Sequence, residues 1–158
     1  MKKFSIEIKW GIIFTIFTLI WMVFERILGW HDAHIAKHAM LTNLFAIPAI
    51  IMVVLALREK RTVVFDGKMT WKQGFLTGLG MTVVIVILSP LSMWITMELI
   101  TPNYFNNVIA HTVEIGKMTP EQAETYFSMG SYIIQSMIGA LLMGTVTSAL
   151  VALITKKS

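Results

Sequence analysis

Three histidines, His31, His34 and His38, follow one another at i, i+3 and i+7. On a helix this spacing brings all three rings within about 60° of one face. Imidazoles one turn apart are workable ligands for Zn²⁺ or a similar metal, and Asp32 or Glu25 would add a carboxylate oxygen. Two other readings compete with a metal site: a pH-responsive contact, because imidazole titrates near neutrality, and plain hydrogen-bonded interface histidines. No Glu stands between the histidines in the His-Glu-x-x-His sense, so the pattern of a zinc protease is not there. Glu25 and Arg26 close one apolar stretch, and Glu98 lies near the end of another. Charges in such places pair across helices or snorkel to the interface, so a Glu25–His or Glu98–Arg26 pair is the structural expectation. The functional alternative is a vestibule of Glu25, Arg26, Glu98 and the histidines that binds a cation or relays protons. No acid lies midway along any apolar stretch, which weighs against a proton-coupled pump.

The elements that must position these residues are four apolar stretches, residues 10–28, 39–57, 75–100 and 131–154. At about 1.5 Å per residue each crosses a hydrocarbon core of about 30 Å. The intervening charges are sorted by alternate gap. Lys2, Lys3, Lys9, Arg58, Lys60, Arg61, Lys68, Lys72, Lys156 and Lys157, ten of the 13 basic residues, fall on one side. The other side holds Arg26, Lys37 and Lys117 with six of the nine acids: Glu25, Asp32, Glu98, Glu114, Glu121 and Glu124. The positive-inside rule then predicts a multi-pass protein of the inner (cytoplasmic) membrane with both termini in the cytoplasm. Trp10 and Trp71 fall at the expected inner interface and Trp30 and Trp94 at the outer one, where amphipathic indoles prefer to sit. Trp21 lies deeper, as a packing or lipid-facing residue.

At 158 residues and 56% hydrophobic composition, residues 1–158 read as a single four-helix transmembrane domain. The basic isoelectric point, near 9.5, reflects membrane-flanking lysines and arginines, not nucleic-acid binding. The absence of cysteine excludes disulfides, thiolate nucleophiles and Cys-based metal sites. Met1-Lys2-Lys3 before an apolar run imitates a signal peptide, but the run is too long for an h-region and no small-x-small site follows it cleanly. It reads as a retained first span.

Between the spans, Asp66-Gly67 after Val63-Val64-Phe65 suits a short hairpin, and Thr70 with Gln73 fits a capping box. The outer loop before the fourth span, about thirty residues, is too long to be structureless in a small bundle. Thr101-Pro102 offers one helix start, Gly116 a stop, and Thr119-Pro120 with Gln122 a second capped start. The expectation is an amphipathic helical cap on the outer membrane surface, with Phe105, Val108, Ile109 and Thr112, then Ala123, Tyr126 and Phe127, facing down. Pro48 and Pro90 interrupt the second and third spans, each as a kink or as the wall of a lined cavity. Ser136, Ala140, Gly144, Ser148 and Ala152 recur every fourth residue in the last span, a small-residue stripe for helix packing inside the bundle or across a dimer seam. The 12 methionines are spread over all segments as adaptable filler.

Met69-Thr70-Trp71-Lys72-Gln73-Gly74-Phe75, Gly29-Trp30-His31-Asp32 with Ile35 and His38, and Asn43-Leu44-Phe45-Ala46-Ile47-Pro48 resemble domain-of-unknown-function family 4199, four-span membrane proteins of Bacteroidota. The likeness runs over essentially the whole chain. It implies an inner-membrane protein and carries over no catalytic residue.

The fold expected is all-α, a four-span bundle with an outer helical cap. The leading function is a non-enzymatic assembly or accessory membrane component without a cofactor, set in the lipid bilayer and partnered by itself or by an envelope protein. A small transporter or channel-like subunit is the alternative, and a metal-dependent membrane enzyme the third. Transport would show as polar groups lining the bundle at mid-depth, chiefly Thr15, Thr18, Asn43, Thr82, Ser89, Ser92, Gln135 and Thr145.

Overall fold

A computed structural model describes residues 4–157, so Lys2 and Lys3 of the basic N-terminal run lie outside the described residues. Four helical stretches, Ser5–Ile27, Ile35–Val64, Trp71–Ile100 and Met129–Thr155, are long and apolar enough to cross a membrane. Among the described residues there is no strand, only an antiparallel bridge between Met69 and Lys157. The chain is an all-α polytopic membrane protein. In order, it comprises α1 (Ser5–Ile27), α2 (Ile35–Leu41), a 3₁₀ turn (Thr42–Phe45), α3 (Ala46–Val64), α4 (Trp71–Trp94), a π turn (Ile95–Ile100), α5 (Tyr104–Glu114), α6 (Pro120–Tyr126) and α7 (Met129–Thr155).

Local chemistry sets the helix ends. Thr70 accepts from the Gln73 amide while the Gln73 side chain reaches back to the Thr70 N–H, and Thr119 and Gln122 repeat the arrangement at α6 with Pro120 at its first position. At the end of α1, Gly29 takes φ +71°, its N–H bonds to Arg26 O at 2.9 Å, and the Trp30 N–H returns to Glu25 O at 3.0 Å. This is a Schellman closure, with Trp30 packed edge-on against Phe24 as its apolar contact. Gly116, at φ +67°, closes α5 in the same way through bonds to Val113 O and Thr112 O.

Several local expectations shift. Asp66 and Gly67 both have positive φ, but α3 continues through Val64, so they turn the chain after a helix and no hairpin forms. Thr101 does not cap α5, which starts at Tyr104; its N–H instead closes the π turn onto Thr96 O at 2.8 Å. Both prolines sit beside irregular helix. Pro48 enters α3 just after the 3₁₀ turn, and Pro90 precedes the π turn by one helical turn.

The four long helices form a ring in which α4 and α7 make the most extensive pairing and α1 and α3 close the circuit. Small residues permit that pairing. A Cβ added to Gly74 would lie 3.1 Å from the Ala152 Cβ, and at Gly78 it would overlap Ser148. A Cβ at Gly144 would overlap the Thr82 side chain. The stripe divides: Gly144, Ser148 and Ala152 meet α4, whereas Ser136 and Ala140 line a cavity. The solid core, Val53, Ala56, Leu57, Met69, Met81, Val151 and Ala152, lies toward the end of the bundle that carries Lys60. That end also holds a buried ion pair, Lys60 Nζ to Glu7 at 2.7 and 2.9 Å. Beside it Glu59 receives Lys9 Nζ at 2.5 Å and the Trp10 indole at 2.8 Å.

Candidate functional site

At the opposite end the Schellman turn decides where the histidines go. Because Gly29 reverses the chain, residues 28–34 are a run of turns, and α2 begins only after His34. The i, i+3, i+7 spacing is therefore not expressed on one helix. His31 folds back beside the last turn of α1, and His38 reaches the same point from α2. His34 and Asp32 remain exposed, the Asp32 carboxylate accepting from the Ala33 N–H at 2.5 Å. Of the residues that the sequence nominates as metal ligands, His31, His38 and Glu25 come together, and His34 and Asp32 do not.

Glu25 is fully buried and is the hub. Its Oε2 faces His31 Nε2 at 3.0 Å and His38 Nε2 at 3.2 Å, and its Oε1 accepts from the Trp21 indole at 2.6 Å. His38 Nδ1 lies 3.2 Å from the Tyr104 hydroxyl, which is 3.4 Å from the Tyr132 hydroxyl. The three rings of His31, His38 and Tyr104 meet edge to face at centroid distances of 4.9–5.5 Å. Asn107 of α5 donates to the His31 carbonyl at 3.0 Å, tying the turn to the loop helices. His31 Nδ1 is buried without a hydrogen-bond partner among the described residues. Burial pushes the Tyr104 phenol above its ordinary value, so it stays protonated at neutral pH.

Of the expected pairs, Glu25–His forms, with both His31 and His38, and Glu98–Arg26 does not. The Arg26 guanidinium donates to the Ile100 carbonyl at the end of the π turn, and Glu98 is exposed. Among the described residues no lysine or arginine pairs with Glu25; a buried carboxylate is costly unless donors surround it, and Trp21 and the two histidines supply them. The apolar face of α5 turns partly onto protein: Phe105 packs edge-on to Tyr132 at 5.1 Å, and Tyr104 and Thr112 are buried.

Beneath this cluster a cavity of about 540 Å³ runs between α1, α3, α4 and α7. Its floor includes Val53 and Met81 of the core, and His31, His38, Tyr104 and Tyr132 form its other end. Thr15, Thr18, Asn43, Thr82, Ser89 and Ser92 line it; Gln135 and Thr145 do not. Four of those hydroxyls donate to their own helices, Thr15 to Gly11 O, Thr18 to Phe14 O, Thr82 to Gly78 O and Ser89 to Val86 O, which leaves their acceptor lone pairs facing the space. Asn43, Ile50 and Met143 line it and are also exposed, so it reaches the surface on the side of α3 and α7.

Sequence reasoning did not find Trp21, Thr42, Tyr104, Tyr132 or Asn107 as parts of the site. The capped starts placed helices in the loop, but nothing local says which aromatic of that loop meets His38. No curated protein and no solved structure matches the chain. A family model described as a protein of unknown function matches residues 9–157, as the resemblance in the polar segments implied. With nearly its whole length covered, the chain belongs to the DUF4199 family of proteins of unknown function.

Proposed function

We propose that this chain is a non-enzymatic inner-membrane protein, both termini in the cytoplasm, that holds a small amphiphilic molecule drawn from the bilayer and serves as an accessory component for it. The observation that carries this reading is the cavity. Its volume suits a drug-sized ligand, its wall is mainly apolar, and its polar groups are a few hydroxyls, Asn43 and the His31–His38–Tyr104–Tyr132 end. Its opening on the side of α3 and α7 supports entry from the membrane. The hydroxyl lining is the one observation that favours a transporter subunit as second reading, since it gives the interior acceptors at mid-depth. The charge partition supports the orientation, with the ligand's polar end toward the outer face.

Native mass spectrometry of the protein released from nanodiscs tests the ligand. The expected result is a bound molecule that survives release and disappears in Gly139→Phe. Gly139 lines the cavity and has open space where a Cβ would stand, so a ring there fills the space without displacing a helix. A bare protein mass, or an adduct unchanged by the substitution, overturns the reading.

A further inference from the structure

We propose that Glu25, His31 and His38 form a binding site for a divalent transition metal of the zinc class. The ligand atoms of the three residues lie within 4.8 Å of one another. They come from the last turn of α1, the turn after it and α2, segments that the Gly29 closure brings into register. Both Nε2 atoms converge on one carboxylate oxygen, at 3.0 and 3.2 Å. Ligands of a tetrahedral Zn²⁺ with bonds of about 2.05 Å are separated by about 3.3 Å, so the two carboxylate–histidine distances are within a few tenths of an ångström of a coordination edge. Two imidazoles and a carboxylate also match the donor set of open zinc sites, which keep a fourth position for an exogenous ligand.

Two further observations point the same way. His38 is oriented through Nδ1 by Tyr104, and Tyr104 by Tyr132, which is the outer hydrogen-bonding that fixes a ligating imidazole on its Nε2. His31 is almost wholly buried and lines the cavity, which keeps its Nε2 aimed at Glu25 and away from bulk solvent. Burial of Glu25 adds an electrostatic reason, since a metal ion at this point supplies the positive charge that no lysine or arginine among the described residues provides.

The test is Zn²⁺ and Co²⁺ binding to untagged full-length protein in detergent, after dialysis against chelator. One Zn²⁺ per chain is expected, and Co²⁺ should give the visible absorption of a tetrahedral nitrogen–oxygen site. His38→Asn should weaken Zn²⁺ binding at least tenfold, with His34→Ala and Asp32→Ala unchanged. The Co²⁺ spectrum of the unsubstituted protein decides even if His38→Asn fails to fold. Absence of stoichiometric uptake, an octahedral Co²⁺ spectrum, or loss of binding with His34→Ala overturns the site and leaves a hydrogen-bonded carboxylate–histidine cluster. Because the readout is the metal alone, its failure does not bear on the amphiphile in the cavity.

Discussion

Gly139 and Gly144 lie five residues apart on α7, and the structure assigns their alanine variants opposite signs. Replacing an interior helical glycine by alanine gains up to about 1 kcal/mol from backbone entropy wherever the methyl finds room. At Gly139 nothing lies within 4 Å of the added Cβ, so Gly139→Ala should keep that gain. At Gly144 the Cβ overlaps Oγ1 and Cγ2 of Thr82 and stands 3.1 Å from its Cβ. Thr82 is buried, β-branched and hydrogen-bonded to Gly78 O at 3.0 Å, so it has little freedom to rotate away. Overpacking of this kind costs about 1–3 kcal/mol. The propensity term is common to both variants, so the difference between them isolates the clash, and Gly144→Ala should be the less stable by about 1–3 kcal/mol. Adding Thr82→Ala removes the two overlapping atoms and should recover about 1 kcal/mol or more as coupling energy. Unfolding in detergent, with oligomer mass followed in parallel, measures both quantities. Equal stability of the two alanine variants, or no coupling to Thr82, would refute the close approach of α4 and α7. A change in mass without a change in stability would assign the stripe to a dimer seam.

Three further outcomes are expected. Lys60→Met strands a buried Glu7 carboxylate and should cost about 3–5 kcal/mol, whereas the double variant with Glu7→Leu should recover most of it; a double variant as unstable as the single contradicts the ion pair. Cysteine at Lys68 should react with impermeant maleimide only from the cytoplasmic side and cysteine at Glu121 only from outside, both positions being exposed; labelling of Lys68→Cys in intact cells reverses the orientation. Tyr104 titrates above its ordinary value of 10.0, so its share of stability is complete below pH 10 and is lost as pH rises beyond it. Stability measured from pH 8 to 11 should therefore fall less in Tyr104→Phe than in the unsubstituted protein.

The spans were legible because hydropathy over twenty residues is a property of the sequence alone, and the capping boxes because Thr and Gln three apart act locally. The site was legible only as separate residues. Reading His31, His34 and His38 as one helical face failed at Gly29, whose positive φ ends α1 and turns the next five residues away from helical geometry. Trp30 reads as an interface anchor, yet it is buried as the apolar contact of that turn. Tyr104 and Tyr132 are 66 and 94 positions from His38, and no periodicity links them. Lys60 entered only a charge tally and Glu7 no reading of its own, because their pairing depends on how α1 and α3 pack.

The core and the cavity occupy opposite ends of the same four helices, and the irregular turns Thr42–Phe45 and Ile95–Ile100 both belong to the hollow end. Such a molecule has two stabilities. Opening free energy is set by side-chain packing where Leu57, Met69 and Met81 interlock, and by a few hydrogen bonds where Glu25 gathers its donors. Amide exchange should then divide the two ends of α3 and α4, fast near the 3₁₀ and π turns and slow toward Lys60 and Gly74. A ligand or ion at the hollow end would raise protection there, and would raise the free energy of global unfolding by the same amount, because complete unfolding also destroys its site.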